Sequence, residues 1–108
     1  MYDVIYLPSA KQELDEIIDY ISIELKAPEA ALNFIDAVDD MAKRLTEMPY
    51  RHPIYHSQFR PNSEIRFVPV KNYNIFYKVD EEHKTVEVHR IIYQRRDTRQ
   101  HLRGGETY

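Results

Sequence analysis

The chain has no cysteine, and its only two glycines, Gly104 and Gly105, stand within the last five of 108 residues. Without thiols there is no disulfide framework and no thiolate site, which suits a reducing cytoplasm. Without glycine in the body there is no Gly-rich loop to cradle phosphates, which excludes the usual ATP and dinucleotide motifs. Ser9, Ser22, Ser57 and Ser63 lack the elbow motif of a serine nucleophile. Long apolar runs are missing too. The opening stretch Tyr2–Leu7 is too short for a signal peptide or a membrane span. Five histidines, at 52, 56, 83, 89 and 101, have no tight carboxylate or cysteine companions, and Pro53 interrupts the His52/His56 pair. The spacing therefore predicts no metal site, and nothing in the sequence calls for a cofactor.

Charge is present but unevenly placed. Residues 1–47 hold four Lys/Arg against eleven Asp/Glu, a balance of −7, while residues 48–108 hold eleven against seven, a balance of +4. This predicts an acidic face and a basic face. A pI near 5.9 argues against a protein that grips a nucleic-acid backbone along its length. A small basic site remains compatible with it.

Such a length fits one domain with one modest core, expected over residues 1–103, with 104–108 as a flexible tail. Tyr2–Leu7 reads as a strand ended by Pro8. Ser9 and Gln12 match a capping box. Leu14, Ile17, Ile18, Ile21 and Leu25 then form one helical stripe, predicting a helix to about Lys26. Pro28 suits the first turn of a second helix. Its stripe is Ala31, Phe34, Ile35, Val38, Met41, Ala42 and Leu45, and Pro49 closes it. The short link at Lys26–Pro28 makes the pair an antiparallel hairpin.

Residues 50–63 read as a loop. Strands are expected at Glu64–Val70, Tyr73–Asp80 and Thr85–Tyr93, with a tight turn at Lys71–Asn72. Alternation puts Tyr73, Ile75, Tyr77 and Val79 on one face of the middle strand. In the last strand it groups Val86, Val88 and Ile92, with Ile91 and Tyr93 opposite. Arg90 then falls in the Val86 row, where a guanidinium needs a partner such as a helix carboxylate. The fold class is thus α+β: an N-terminal strand and a helical hairpin packed on one face of a mainly antiparallel sheet. The other face is left partly apolar, as a partner-binding groove requires.

The last strand runs out into arginines at Arg90, Arg95, Arg96, Arg99 and Arg103. A strand exit that carries several guanidinium groups is a platform for an anionic partner, be it nucleic acid, phosphate or an acidic protein. The alternative is that these arginines pair with the acidic first half of the same chain. Tyr93 sits where sheet gives way to arginines and is the one tyrosine placed for stacking or proton transfer.

Tyr6-Leu7-Pro8-Ser9-Ala10, Leu14…Ile17…Tyr20-Ile21, Ala31…Phe34-Ile35, Leu45…Pro49, Tyr73-Asn74-Ile75-Phe76-Tyr77 and Ile91-Ile92-Tyr93-Gln94-Arg95-Arg96-Asp97 occur in an order that resembles the RelE/ParE superfamily of toxins from type II toxin–antitoxin systems. The resemblance spans residues 2–102. No one piece is specific; their order and spacing are. It implies a small cytoplasmic toxin, without cofactor, neutralised by a cognate antitoxin. It implies no membrane partner and no sequence-specific DNA binding by the chain alone. RelE-like members cleave mRNA on the ribosome, and ParE-like members poison DNA gyrase. Against the nuclease pattern, Arg66 and Arg96 match basic positions. Val68, Asn74 and Leu102 stand where a second basic residue, an arginine and a tyrosine are usual, and Tyr93 stands where histidine is frequent. If the chain is a nuclease, Arg66, Tyr93 and Arg96 are its candidate catalytic residues. The depleted basic cluster favours the ParE-like reading. A third reading is an inactive relative that only binds its antitoxin and represses the operon with it. In the ParE-like case Arg90, Arg95, Arg96, Arg99 and Arg103 are the residues to meet antitoxin or target.

Overall fold

The computed structural model describes residues 1–56 and 63–96, the side chain of Arg96 excepted. Arg99, Arg103 and the expected tail lie outside the described residues. The elements are β1 (Asp3–Tyr6), α1 (Pro8–Asp19), a π-helical turn (Tyr20–Glu24), α2 (Pro28–Glu47), β2 (Arg66–Val70), β3 (Tyr73–Asp80), β4 (Thr85–Tyr93) and a 3₁₀ turn (Gln94–Arg96). The sheet order is β1-β4-β3-β2, with β1 parallel to β4 and the other pairs antiparallel. The helical hairpin covers one face.

Pro8 does more than stop β1. It is the first helical residue, and Leu7 occupies the cap position without a side-chain cap. The expected capping box does not form. Proline's fixed φ starts the helix one residue early, and its missing N–H costs nothing there. Ser9 is therefore already inside the first turn, and Gln12 donates to Glu16 Oε2 at 3.0 Å instead.

The first helix also does not continue as α-helix to Lys26. From Tyr20 it widens, with Leu25 N–H donating to Tyr20 O at 3.0 Å and Ala27 N–H to Ile21 O at 3.1 Å. A π turn inserts about one extra residue per turn, so the apolar stripe slips. Leu25, expected inside, is 54 % exposed. Lys26 then closes the hairpin with φ 54°. Lys71 and Lys84 adopt the same left-handed conformation at the two strand turns, with φ 55° and 54°. A body without glycine has no cheaper residue to place there.

The core lies between hairpin and sheet. Phe34, Val38, Met41 and Leu45 of α2 meet Val68, Val70, Ile75, Tyr77, Val86, Val88 and Ile91, all buried. Leu14, Ile17, Ile18 and Ile21 pack on this cluster half-buried. The row expected on β4 needs correction. Phe76 pairs with Arg90 and Tyr77 with Val88, so His89 is an extra residue that forms a β-bulge. A bulge reverses the alternation beyond it. Ile91 joins Val86 and Val88 in the core, and Arg90 and Ile92 leave that row.

The opposite face carries a second, smaller apolar cluster. Tyr55 packs edge-on against Phe76 and Phe67 at 5.1 and 6.2 Å, and Phe67 stacks on Phe76 at 6.1 Å. Meanwhile Tyr77 donates its hydroxyl to Pro49 O at 2.7 Å on the hairpin face. The segment after α2 therefore crosses from one face of the sheet to the other.

Candidate binding surface

The arginine exit is built as the end of a strand held in place by its neighbours. Tyr93 packs on Tyr73 with ring centroids 5.5 Å apart, and Tyr73 on Phe34 at 5.2 Å. Gln94 N–H donates to Asn72 O at 2.9 Å, and its side-chain amide faces Lys71 O, Tyr73 O and Asn74 Oδ1 at 3.4–3.5 Å. These contacts fix the start of the 3₁₀ turn against the β2–β3 turn. Tyr93 stays 37 % exposed, and Arg95 is exposed beside it. The backbone of Arg96 lies in the same turn.

Arg90 is not free. Its Nε and Nη2 donate to Glu13 Oε2 of α1 at 2.8 and 2.7 Å, while Ile91 N–H donates to Glu13 Oε1 at 2.8 Å. One helix carboxylate thus serves a guanidinium and a main-chain amide together. A helix acid as Arg90's partner is what the apolar row required, but the bulge leaves the pair at the surface, with Arg90's side chain 54 % exposed.

Arg66 lies elsewhere. It pairs with Tyr77, whereas Tyr93 pairs with Tyr73. At about 3.3 Å per residue this separates them by roughly 13 Å along β3, and by two strand spacings of about 4.8 Å across it. The Arg66 guanidinium donates to His52 O at 2.7 Å and Tyr50 O at 3.3 Å and lies 5.2 Å over the Tyr50 ring. It closes the loop after α2. The structure therefore brings Tyr93 and Arg95 together at the end of β4 and leaves Arg66 well along the sheet from them, while Arg90, opposite Phe76, lies nearly level with Arg66 but two strands away. Asn74 is buried beneath the 3₁₀ turn.

The end that holds Arg66 has an organised polar cluster that no sequence motif announced. Glu81 accepts from Tyr2 and Tyr50 hydroxyls at 2.8 and 2.6 Å and from Lys84 Nζ. Lys84 Nζ also sits 5.2 Å over the Tyr2 ring. The lysine and the two phenols pull the Glu81 carboxyl down to about 2, and the bond to that carboxylate pushes the Tyr50 phenol up to about 12. Nearby His52 is lowered by burial and then by Arg51 and Arg44. Partners 31 and 79 residues apart leave no local pattern to read. Among the described residues no group of three or more His, Cys, Asp or Glu could hold a metal ion. No helix among them is long and apolar enough to cross a membrane.

Together these elements make a small α+β fold, a two-helix hairpin on a four-stranded mixed sheet with a basic strand exit. The model of the ParE toxin of type II toxin–antitoxin systems, parDE, matches residues 4–98. Two solved structures share the fold. A chromosomal ParDE toxin–antitoxin system from P. aeruginosa is 20 % identical, covers 86 % of this chain and 96 % of its own, and has a TM-score of 0.67. The toxin–antitoxin complex RelBE2 from Mycobacterium tuberculosis is also 20 % identical, covers 85 % and 96 %, and has a TM-score of 0.61. Comparison with curated proteins returns no match. The chain belongs to the ParE toxin family of type II toxin–antitoxin systems.

Proposed function

We propose that this toxin acts by binding DNA gyrase or a related topoisomerase in the cytoplasm, without cofactor, and that a cognate antitoxin neutralises it. The observation that carries this reading is the separation of the nuclease candidates. RNA cleavage of the RelE kind needs a group to activate the 2′-hydroxyl and several charges on one phosphate. Arg66 is tied to the carbonyls of Tyr50 and His52 at the far end of the sheet from Tyr93. Tyr93 is the one candidate for the proton transfer, and it stands well away from Arg66. Asn74, where the nucleases carry arginine, is buried.

What Tyr93 and Arg95 do offer is a basic, aromatic-edged surface at one end of a rigid sheet, with Arg90 further back along β4 and Arg96 next in the sequence. Arg99 and Arg103 continue it in the sequence. This suits protein recognition, in which exposed charges set encounter rates and aromatic groups anchor. The reading is tested by expressing the chain in a bacterial host with and without the protein encoded beside it. The expected result is growth arrest with DNA-damage signalling, relieved by co-expression, with translated mRNA uncut by primer extension. Codon-phased mRNA cuts that vanish in Arg96→Ala would overturn it in favour of the nuclease.

A further inference from the structure

The segment that leaves α2 is fastened to the sheet from Pro49 to Tyr55. Tyr77 donates its hydroxyl to Pro49 O at 2.7 Å, and Arg66 donates to Tyr50 O and His52 O at 3.3 and 2.7 Å. Ile54 then bridges antiparallel to Arg66. Phe67 N–H donates to Pro53 O at 3.2 Å, and Tyr55 N–H to Ile65 O at 2.7 Å. Residues 48–56 thus lie along β2 as a short strap, whose far end sets Tyr55 against Phe67 and Phe76. A strap of this kind opens locally, at a cost below that of global unfolding. One of its residues carries an imidazole into a crowd of cations. His52 is half-buried, its ring perpendicular to that of the buried Tyr77 at 6.3 Å. Its own carbonyl holds the Arg66 guanidinium of β2, Arg51 precedes it, and Arg44 acts on it from the last turn of α2. From β3 it meets Tyr77, whose hydroxyl is committed to Pro49 O. Tyr50, Tyr55 and the exposed His56 are the strap's other titratable side chains. Among the described residues no carboxylate pairs with His52. Glu81, which accepts from Tyr50, is also held by Tyr2 and Lys84. A positive charge on this imidazole is therefore uncompensated in a partly desolvated place.

We propose that His52 is a proton-operated latch: when its imidazole takes up a proton, repulsion from Arg44, Arg51 and Arg66 loosens strap 48–56 from β2 and lifts Tyr55 from Phe67 and Phe76. Burial, then Arg51 and Arg44, hold the imidazole of the closed strap below its ordinary range. Opening restores the ordinary pKa of about 6.5, so opening binds a proton and acid favours it. The closed strap is fully favoured above about pH 6.5 and progressively less so as pH falls through the lowered pKa. Mild acid thereby changes the face of the sheet opposite the hairpin, while the core on the hairpin side stays packed. The device is independent of which target the toxin binds.

The test is amide hydrogen exchange of the full chain at about pH 7.5 and about pH 5.5, bracketing the ordinary histidine pKa, with each rate divided by the intrinsic rate at that pH. Protection of the Tyr55 and Phe67 amides is expected to fall about threefold or more at the lower pH. The Leu7 amide, bonded to Val88 O at 3.0 Å in the body of the sheet, keeps its protection. His52→Gln removes the pH dependence at both strap amides, and His56→Gln leaves it in place. Arg51→Gln raises the midpoint at which the His52 ring protons titrate and reduces the fall in protection. Equal protection at the two pH values, a fall that survives in His52→Gln, or an equal fall at Leu7 overturns the proposal. If His52→Gln does not fold, Arg51→Gln decides: an unmoved midpoint with an undiminished fall overturns it.

Discussion

Deleting one residue from a sheet strand ordinarily turns every later side chain to the wrong face. Deletion of His89 is the exception in this protein. Two residues of β4, His89 and Arg90, oppose the single residue Phe76. Removing His89 leaves Phe76 opposite Arg90 and Tyr77 opposite Val88, one to one, with Val88 and Ile91 both still inward. The deletion loses only the 3.4 Å contact between His89 and Glu87, a partly exposed pair of the kind worth at most about 1 kcal/mol. It also removes an imidazole Nε2 that is buried without a hydrogen bond. The net cost should stay within about 1 kcal/mol. Deleting Glu87 is the control. It turns the fully buried Val88 outward and His89 inward. Losing that valine costs about 1.5–3 kcal/mol, and an unpaired polar group in the apolar row adds about 1–3 kcal/mol. That sum is a large share of the ~5–15 kcal/mol that holds a domain folded, and at about 4–8 °C per kcal/mol it lowers Tm by more than 10 °C. Urea denaturation of the two deletions beside wild type gives the answer. Equal losses, or the larger loss on deleting His89, would refute the bulge as the origin of the β4 pattern.

Glu81 titrates low, at about 2, so its bonds stabilise the fold above the ordinary carboxylate range of about 4.5 and are lost as pH falls toward 2. Stability of wild type over Glu81→Gln should therefore be constant above pH 5 and shrink between pH 4.5 and 2; a difference independent of pH would contradict the cluster. Phe34→Ala should cost about 3–5 kcal/mol because Phe34 is 2 % exposed, and the half-buried Ile18→Ala clearly less, about 1–2 kcal/mol, by chemical denaturation; equal losses would place Ile18 in the centre of the core. Lys26→Gly should stabilise by about 0.5–1 kcal/mol, since a left-handed residue with a Cβ costs about 1–2 kcal/mol and glycine's extra chain entropy returns part of that. A destabilised variant would show that the lysine side chain matters more than its backbone.

The sequence carried the architecture because its main signals are periodic. The stripe from Ala31 to Leu45 and the alternation from Tyr73 to Val79 each repeat often enough to survive local noise: Phe34, Val38, Met41, Leu45, Ile75 and Tyr77 stand in the core, Tyr73 and Val79 pack against it, and Ile35 and Ala42 flank the stripe half-buried. Pro28 marked the start of α2 for the same reason that Pro8 marks α1, but at Pro8 the stronger strand-stop signal hid it. The π turn and the His89 bulge were not legible. Each is one inserted residue, and nothing in Tyr20–Glu24 or Val88–Arg90 distinguishes it from regular helix or strand until the partner element sets the register. That single bulge decided where Arg90 goes. Its carboxylate partner was anticipated in kind, and only the packing of α1 across β4 identified it as Glu13. The Glu81 cluster joins the N-terminus, the loop after α2 and the β3–β4 turn, so no window of sequence contains it.

The most direct test of the account is a DNA gyrase assay with the purified chain, without antitoxin. The account predicts that supercoiling is inhibited, that linear cleaved DNA accumulates, that Arg95→Glu reduces both, and that added antitoxin abolishes both. Undisturbed supercoiling at every concentration, with a parallel translation reaction showing cut mRNA, would contradict it.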